Sequence, residues 1–105
     1  MAKKYIDKII DIASKHYDSF AELKKEIESK IKCSVVDLVC VRVGIQNYFI
    51  PAVLIGSKKF LGIDVPRKVF YIWIARYPKN GKEIVSITVQ DMGTGEKREV
   101  KKETE

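Results

Sequence analysis

The side chains able to do covalent or acid–base chemistry are few in this 105-residue chain, which holds one histidine and two cysteines. A site needing several His or Cys ligands is excluded within a single chain, and His16, Cys33 and Cys40 make no strong zinc pattern. His16 ends the first helical stretch beside Tyr17, where an imidazole interacts favourably with the helix dipole. A cysteine nucleophile working with His16 has no supporting signature. No glycine loop for phosphate is present either. Gly93-Thr94-Gly95 reads as a hairpin tip, and no Lys-Ser/Thr follows Gly56 or Gly62.

The carboxylates that a small metal-dependent nuclease would need are Asp37, Asp64, Glu83 and Asp91. Asp37 is the most unusual, because it interrupts an apolar strand. Its ordinary reading is an edge or strand-start residue. Such a site wants an acid, one spacer and a lysine on the strand after an aspartate strand, and Glu83-Ile84-Val85 does not supply it. The nuclease therefore stands only as a third reading. No catalytic set, metal site or cofactor is expected, and the balance leans away from an enzyme.

The pattern that best suggests function is aromatic. Tyr71, Trp73 and Tyr77 alternate along one apolar segment, so in a strand they share a face. Tyr and Trp join apolar area to a hydrogen-bonding tip, which suits a partner interface. The same rings could stack bases, with phosphate contacts from Lys58, Lys59, Arg67, Lys68, Arg76, Lys79 and Lys82. Those cations are dispersed along the chain, which weakens the nucleic-acid reading. The leading expectation is a small binding module that forms a homodimer through an exposed sheet face or edge. The runner-up is a nucleic-acid binder, and a different protein partner is the other alternative.

These rings need a scaffold. Ile6, Ile9, Ile10, Ala13 and Tyr17 recur at three- and four-residue spacing, which predicts an amphipathic helix. Ser19 with Glu22 is a capping-box pattern opening a second helix from about Phe20 to Ile31, with Phe20, Leu23, Ile27 and Ile31 inward. The period then changes from 3.6 to 2. Strands are expected at Val35 to Val43, Tyr48 to Ile55, Lys68 to Tyr77, Glu83 to Met92 and Lys97 to Lys101. Pro51 predicts an edge position or a bulge. Gly44 to Asn47 and Gly56 to Lys59 read as turns, and Phe60 to Pro66 as a loop or short extended piece. Residues 102–105 should fray.

Asn80-Gly81 is a strong type I′ hairpin signal and sets Lys79 opposite Lys82, Tyr77 opposite Ile84 and Trp73 opposite Thr88. Thr94-Gly95, read as a second two-residue loop, sets Asp91 opposite Arg98 as a rim ion pair. One face then carries Phe70, Ile72, Ile74, Val85, Ile87, Val89 and Val100. The expected fold is α+β in a single domain of residues 1–101: two N-terminal helices on one face of a four- to five-stranded, mainly antiparallel sheet. Two helices cannot easily cover both faces. The aromatic strip is open unless the Phe60 to Val65 segment or a partner covers it.

Composition bounds the setting. The chain is 46% hydrophobic and 32% charged, which is globular and not disordered. A net charge of +6 excludes an acidic surface protein without establishing a nucleic-acid binder. Lysine and isoleucine are abundant and amides scarce, a bias shared by thermophile proteins and, for Lys and Ile, by AT-rich genomes. No apolar run reaches the roughly 20 residues of a membrane span, and the start lacks a signal peptide's apolar centre. A cytoplasmic protein with no membrane contact is expected. If the chain between Cys33 and Cys40 is extended, their Cα atoms lie roughly 23 Å apart by strand rise. That is too far for a disulfide, and both read as small core side chains.

Overall fold

The computed structural model describes the backbone of residues 4–43 and 46–104, and the side chains of residues 4–38 and 50–103. Two helices lead, α1 (Tyr5–Ala13) and α2 (Phe20–Lys30). The Ser19 hydroxyl accepts a hydrogen bond from the Glu22 N–H, so the capping signal starts α2 where expected. Seven strands follow: β1 (Ser34–Val43), β2 (Gln46–Ile55), β3 (Lys58–Phe60), β4 (Ile63–Val65), β5 (Lys68–Lys79), β6 (Lys82–Asp91) and β7 (Lys97–Thr104). The main sheet has order β1-β2-β5-β6-β7 and every neighbouring pair is antiparallel. The α+β expectation holds.

The helices pack on one face. Ile6, Ile9, Ile10, Ala13, Leu23 and Ile27 meet Val35, Val53, Phe70, Ile72, Val85, Ile87 and Val89 in one buried cluster. This is the face that strand alternation predicted. Each of these side chains leaves water on folding, at roughly 1.5–3 kcal/mol for a large aliphatic or aromatic group.

The β5–β6 register agrees with the Asn-Gly reading residue for residue, from Lys79↔Lys82 through Trp73↔Thr88 to Ile72↔Val89. Asn80 (φ 52°) and Gly81 (φ 77°) both take the left-handed conformation that the turn requires. The β6–β7 register is a correction. Val89 faces Arg98 and Gln90 faces Lys97, two residues from the expected pairing. The cause is Asp91. Its carboxylate accepts from the N–H groups of Gly93 (2.8 Å) and Thr94 (3.2 Å), and this side-chain turn lengthens the loop. Arg98 consequently pairs with Asp7 (3.1 Å) and Glu96 (3.3 Å), not with Asp91. A shift of two preserves the side-chain face, so Val100 still packs against the core.

Pro51 sits opposite Asp37, where the β1–β2 register shifts. It is therefore at a bulge, in a strand that is not at the sheet edge. Pairing of β2 with β5 begins only at Ala52↔Tyr71, the residue after the proline. The strand β7 runs to Thr104, beyond the expected end at Lys101. Gly44 and Ile45, the Cys40 side chain and Glu105 lie outside the described residues.

The segment expected to be a loop is a separate two-stranded ribbon. Here β3 pairs β4 through Lys58↔Val65, Lys59↔Asp64 and Phe60↔Ile63. Leu61 (φ 51°) and Gly62 (φ 80°) form its turn. It is inserted where the chain leaves β2 and enters β5, at the opposite end of the sheet from the Asn80-Gly81 tip.

Candidate functional site: the helix-free sheet face

The side chains on the other face follow from register. Val36, Ala52, Tyr71, Gln90 and Lys97 form one row across the sheet. Trp73, Thr88 and Glu99 form the next row, then Ala75, Ser86 and Lys101, then Tyr77, Ile84 and Glu103. Among the described residues no helix packs here, although Ala52, Ile84 and Ser86 are buried among their neighbours. Trp73 is 40% exposed and Tyr77 37%, although both belong to a residue class that usually hides most of its area. The Tyr71 and Trp73 rings meet edge to face, with centroids 5.9 Å apart and planes at 68°. That geometry suits their quadrupoles and holds the indole in place.

The two glutamates of the polar border are paired within the chain. Glu99 accepts from the hydroxyls of Ser86 (3.1 Å) and Thr88 (3.4 Å) and lies 4.0 Å from Lys101. Glu103 is 3.6 Å from Lys82. The strip is thus an apolar lane edged by charges of both signs.

The Phe60 to Val65 segment leaves this lane open. Phe60 is 62% exposed, Leu61 87% and Ile63 66%. Sequence reasoning did not find these three side chains. The only available signal was Gly62 after a bulky residue, and Leu61 breaks the turn preference that would have flagged a hairpin.

The expected cations do not converge. Lys79 and Lys82 flank the Asn80-Gly81 tip. Lys58, Lys59 and Arg67 belong to the β3–β4 ribbon or its base, at the other end of the sheet. Arg76 points to the helix side. Its guanidinium lies 5.4 Å from the Tyr17 ring centroid and bonds Asp18 at 2.6 Å. Glu83 is 3.5 Å away on its other flank. Tyr71, Trp73 and Tyr77 are the part of the expected set that the fold brings together.

The carboxylates are equally dispersed. Asp64 pairs with Lys59 at 3.0 Å on the ribbon, and Asp91 is spent on backbone N–H groups. Asp37 lies in the edge strand β1, with Oδ1 buried and without a hydrogen-bond partner. Among the described residues no three His, Cys, Asp or Glu side chains gather as a metal would require. Cys33 packs against the core. Burial pushes its thiol up, and nearby Glu28 adds to the shift, the opposite of what activates a nucleophile. Among the described residues no helix is long and apolar enough to cross a membrane. Compared with protein-family models, curated proteins and solved structures, the chain matches none.

Proposed function

We propose that the chain is a small non-enzymatic binding module that pairs with a second copy through its helix-free sheet face. The observation behind this reading is the uncovered lane around Trp73 and Tyr77. Contiguous exposed apolar side chains rimmed by charge are the usual mark of an interaction surface. Area supports it. The chain exposes 7201 Å², where a closed monomer of 12.0 kDa exposes roughly 6000 Å². The excess, roughly 1200 Å², exceeds the approximately 800 Å² that each partner gives to a standard interface.

Light scattering on a sizing column tests this. The expected mass is twice that of one chain, and Trp73→Lys shifts it to one. A wild-type chain that stays monomeric at several hundred micromolar ends the proposal. Stacking of single-stranded nucleic acid on the same rings is the second reading, favoured by the exposed indole. Its weakness is that cations beside the lane alternate with Glu99 and Glu103. A titration at two salt concentrations distinguishes it, because phosphate contacts require a steep salt slope.

A further inference from the structure

We propose that the β3–β4 ribbon is an exchange arm, whose apolar tip of Phe60, Leu61 and Ile63 seats on the helix-free face of a second copy, against Tyr71 and Trp73. The inference rests on the pairing proposed above and names what that pairing is made of.

Three observations carry it. The tip is a single apolar cap. Phe60 and Ile63 are cross-strand partners, so their side chains share one side of the ribbon, with Leu61 at the apex. These are the most exposed of the large apolar side chains on the strands and turns described above. Second, the apex breaks a local rule. Leu61 holds φ 51°, where Asn, Asp or Gly is favoured and an ordinary side chain crowds its own backbone. Within its own chain this leucine gains nothing in return, since it is almost fully in water. A local rule broken at an exposed apex points to a contact made elsewhere.

Third, the base of the ribbon is braced. The Arg67 N–H donates to the Ile55 carbonyl at 3.0 Å, and its Nε to the Ser57 carbonyl at 2.9 Å. The Arg67 stem lies against Gly56, where an added Cβ would come within 3.0 Å of Arg67 Cδ. The tip stands beyond this braced base with its three apolar side chains exposed.

A second copy fits better than other occupants. A nucleic acid or an anionic bilayer would engage Lys58, Lys59 and Arg67 around the tip, but along the lane Lys97 and Lys101 alternate with Glu99 and Glu103, so phosphate is not drawn to both surfaces. Reciprocal exchange covers both apolar surfaces with one two-fold operation, and the symmetry closes at a dimer. The chain also has surplus area on the scale that such an exchange requires.

The test compares wild type with Leu61→Asn and with Phe60→Ser/Ile63→Thr, all as full chains. Sedimentation gives the dimer dissociation constant, and a thermal scan below that concentration gives monomer stability. The expected result is a rise of at least tenfold in the dissociation constant for both variants. Monomer melting should be unchanged or higher in Leu61→Asn, because asparagine suits the left-handed position. A benzophenone side chain at position 61, with isotope-labelled and unlabelled chains mixed, should cross-link between copies within residues 71–77. If the variants dimerise like wild type, or the cross-link falls elsewhere, the exchange arm is wrong while the sheet-face pairing stands. If wild type never dimerises, both fail. A position-61 cross-link to added DNA or anionic vesicles by a monomer reassigns the tip and overturns the proposal.

Discussion

The two hairpin tips of this chain share a backbone and differ in chemistry. Leu61-Gly62 has φ 51° and 80°, and Asn80-Gly81 has φ 52° and 77°. At Asn80 the side chain suits the conformation and the flanking Lys79 and Lys82 are solvated. At Leu61 the same conformation holds a leucine between Phe60 and Ile63, all exposed. The lesson is that backbone geometry constrains which residues are cheap, not which residues are present. Where a cheap choice is refused on the surface, something other than folding the single chain accounts for it. The support beneath the tips differs too. The Asn80 hairpin joins two long strands of the main sheet, whereas β3 and β4 form a separate two-stranded sheet.

That contrast can be broken by the same substitution at both sites. Gly81→Val forces a β-branched residue into the left-handed region and should cost about 2 kcal/mol, or roughly 8 °C or more in melting temperature. Gly62→Val meets the same strain but should leave the main melting transition nearly unchanged and speed proteolysis within residues 58–65. Equal losses of melting temperature would show that the ribbon is integral to the cooperative core.

The middle-sized effects have opposite signs. Asn80→Leu copies the other tip and should destabilise by about 1 kcal/mol in a thermal scan. Leu61→Asn should stabilise the monomer by about 0.5 kcal/mol. A loss of monomer stability in Leu61→Asn would mean that the leucine packs within its own chain, and the contrast between the tips would vanish.

The smallest effect serves as a reference outside both tips. Glu28 on α2 accepts from the Val35 N–H (2.9 Å) and from Lys24 Nζ (3.0 Å), and Lys24 also donates to the Val35 carbonyl. The Val35 hydrogen bond, then the Lys24 hydrogen bond, hold the Glu28 carboxyl below its usual range. Its contribution is present above the unfolded pKa and lost as pH falls through the lowered folded pKa. Glu28→Gln should lower the melting temperature by a degree or two at pH 7, and the difference should disappear in acid. The tip substitutions titrate nothing and should keep their offsets across the same pH range. An acid-independent Glu28→Gln offset would remove the ionic explanation.

How much was legible varied with how local the determinant was. The β5–β6 register was readable because two residues impose the turn, and a two-residue loop leaves one pairing. The β6–β7 register was not, because the Asp91 carboxylate captures two N–H groups and changes the loop length. That competition depends on a side-chain rotamer, not on residue class. Arg76 was read as part of a binding surface because its charge is visible, yet strand parity already placed it with Ile72 and Ile74. Its contact with Tyr17 and Asp18, more than 50 residues away in the chain, required the fold. The aromatic face was legible as a face.

The periods of 3.6 and 2 act over neighbouring residues, so the sequence alone determined helices, strands, the side-chain face of Tyr71, Trp73 and Tyr77, and the class of the fold. Exposure is different, because it sums over everything that packs nearby. Only the tertiary structure decided that the helices cover one face and that Pro51 delays the joining of β2 to β5. It alone decided that Phe60, Leu61 and Ile63 stand exposed on a ribbon whose base Arg67 braces, while Trp73 and Tyr77 stay partly exposed on the sheet.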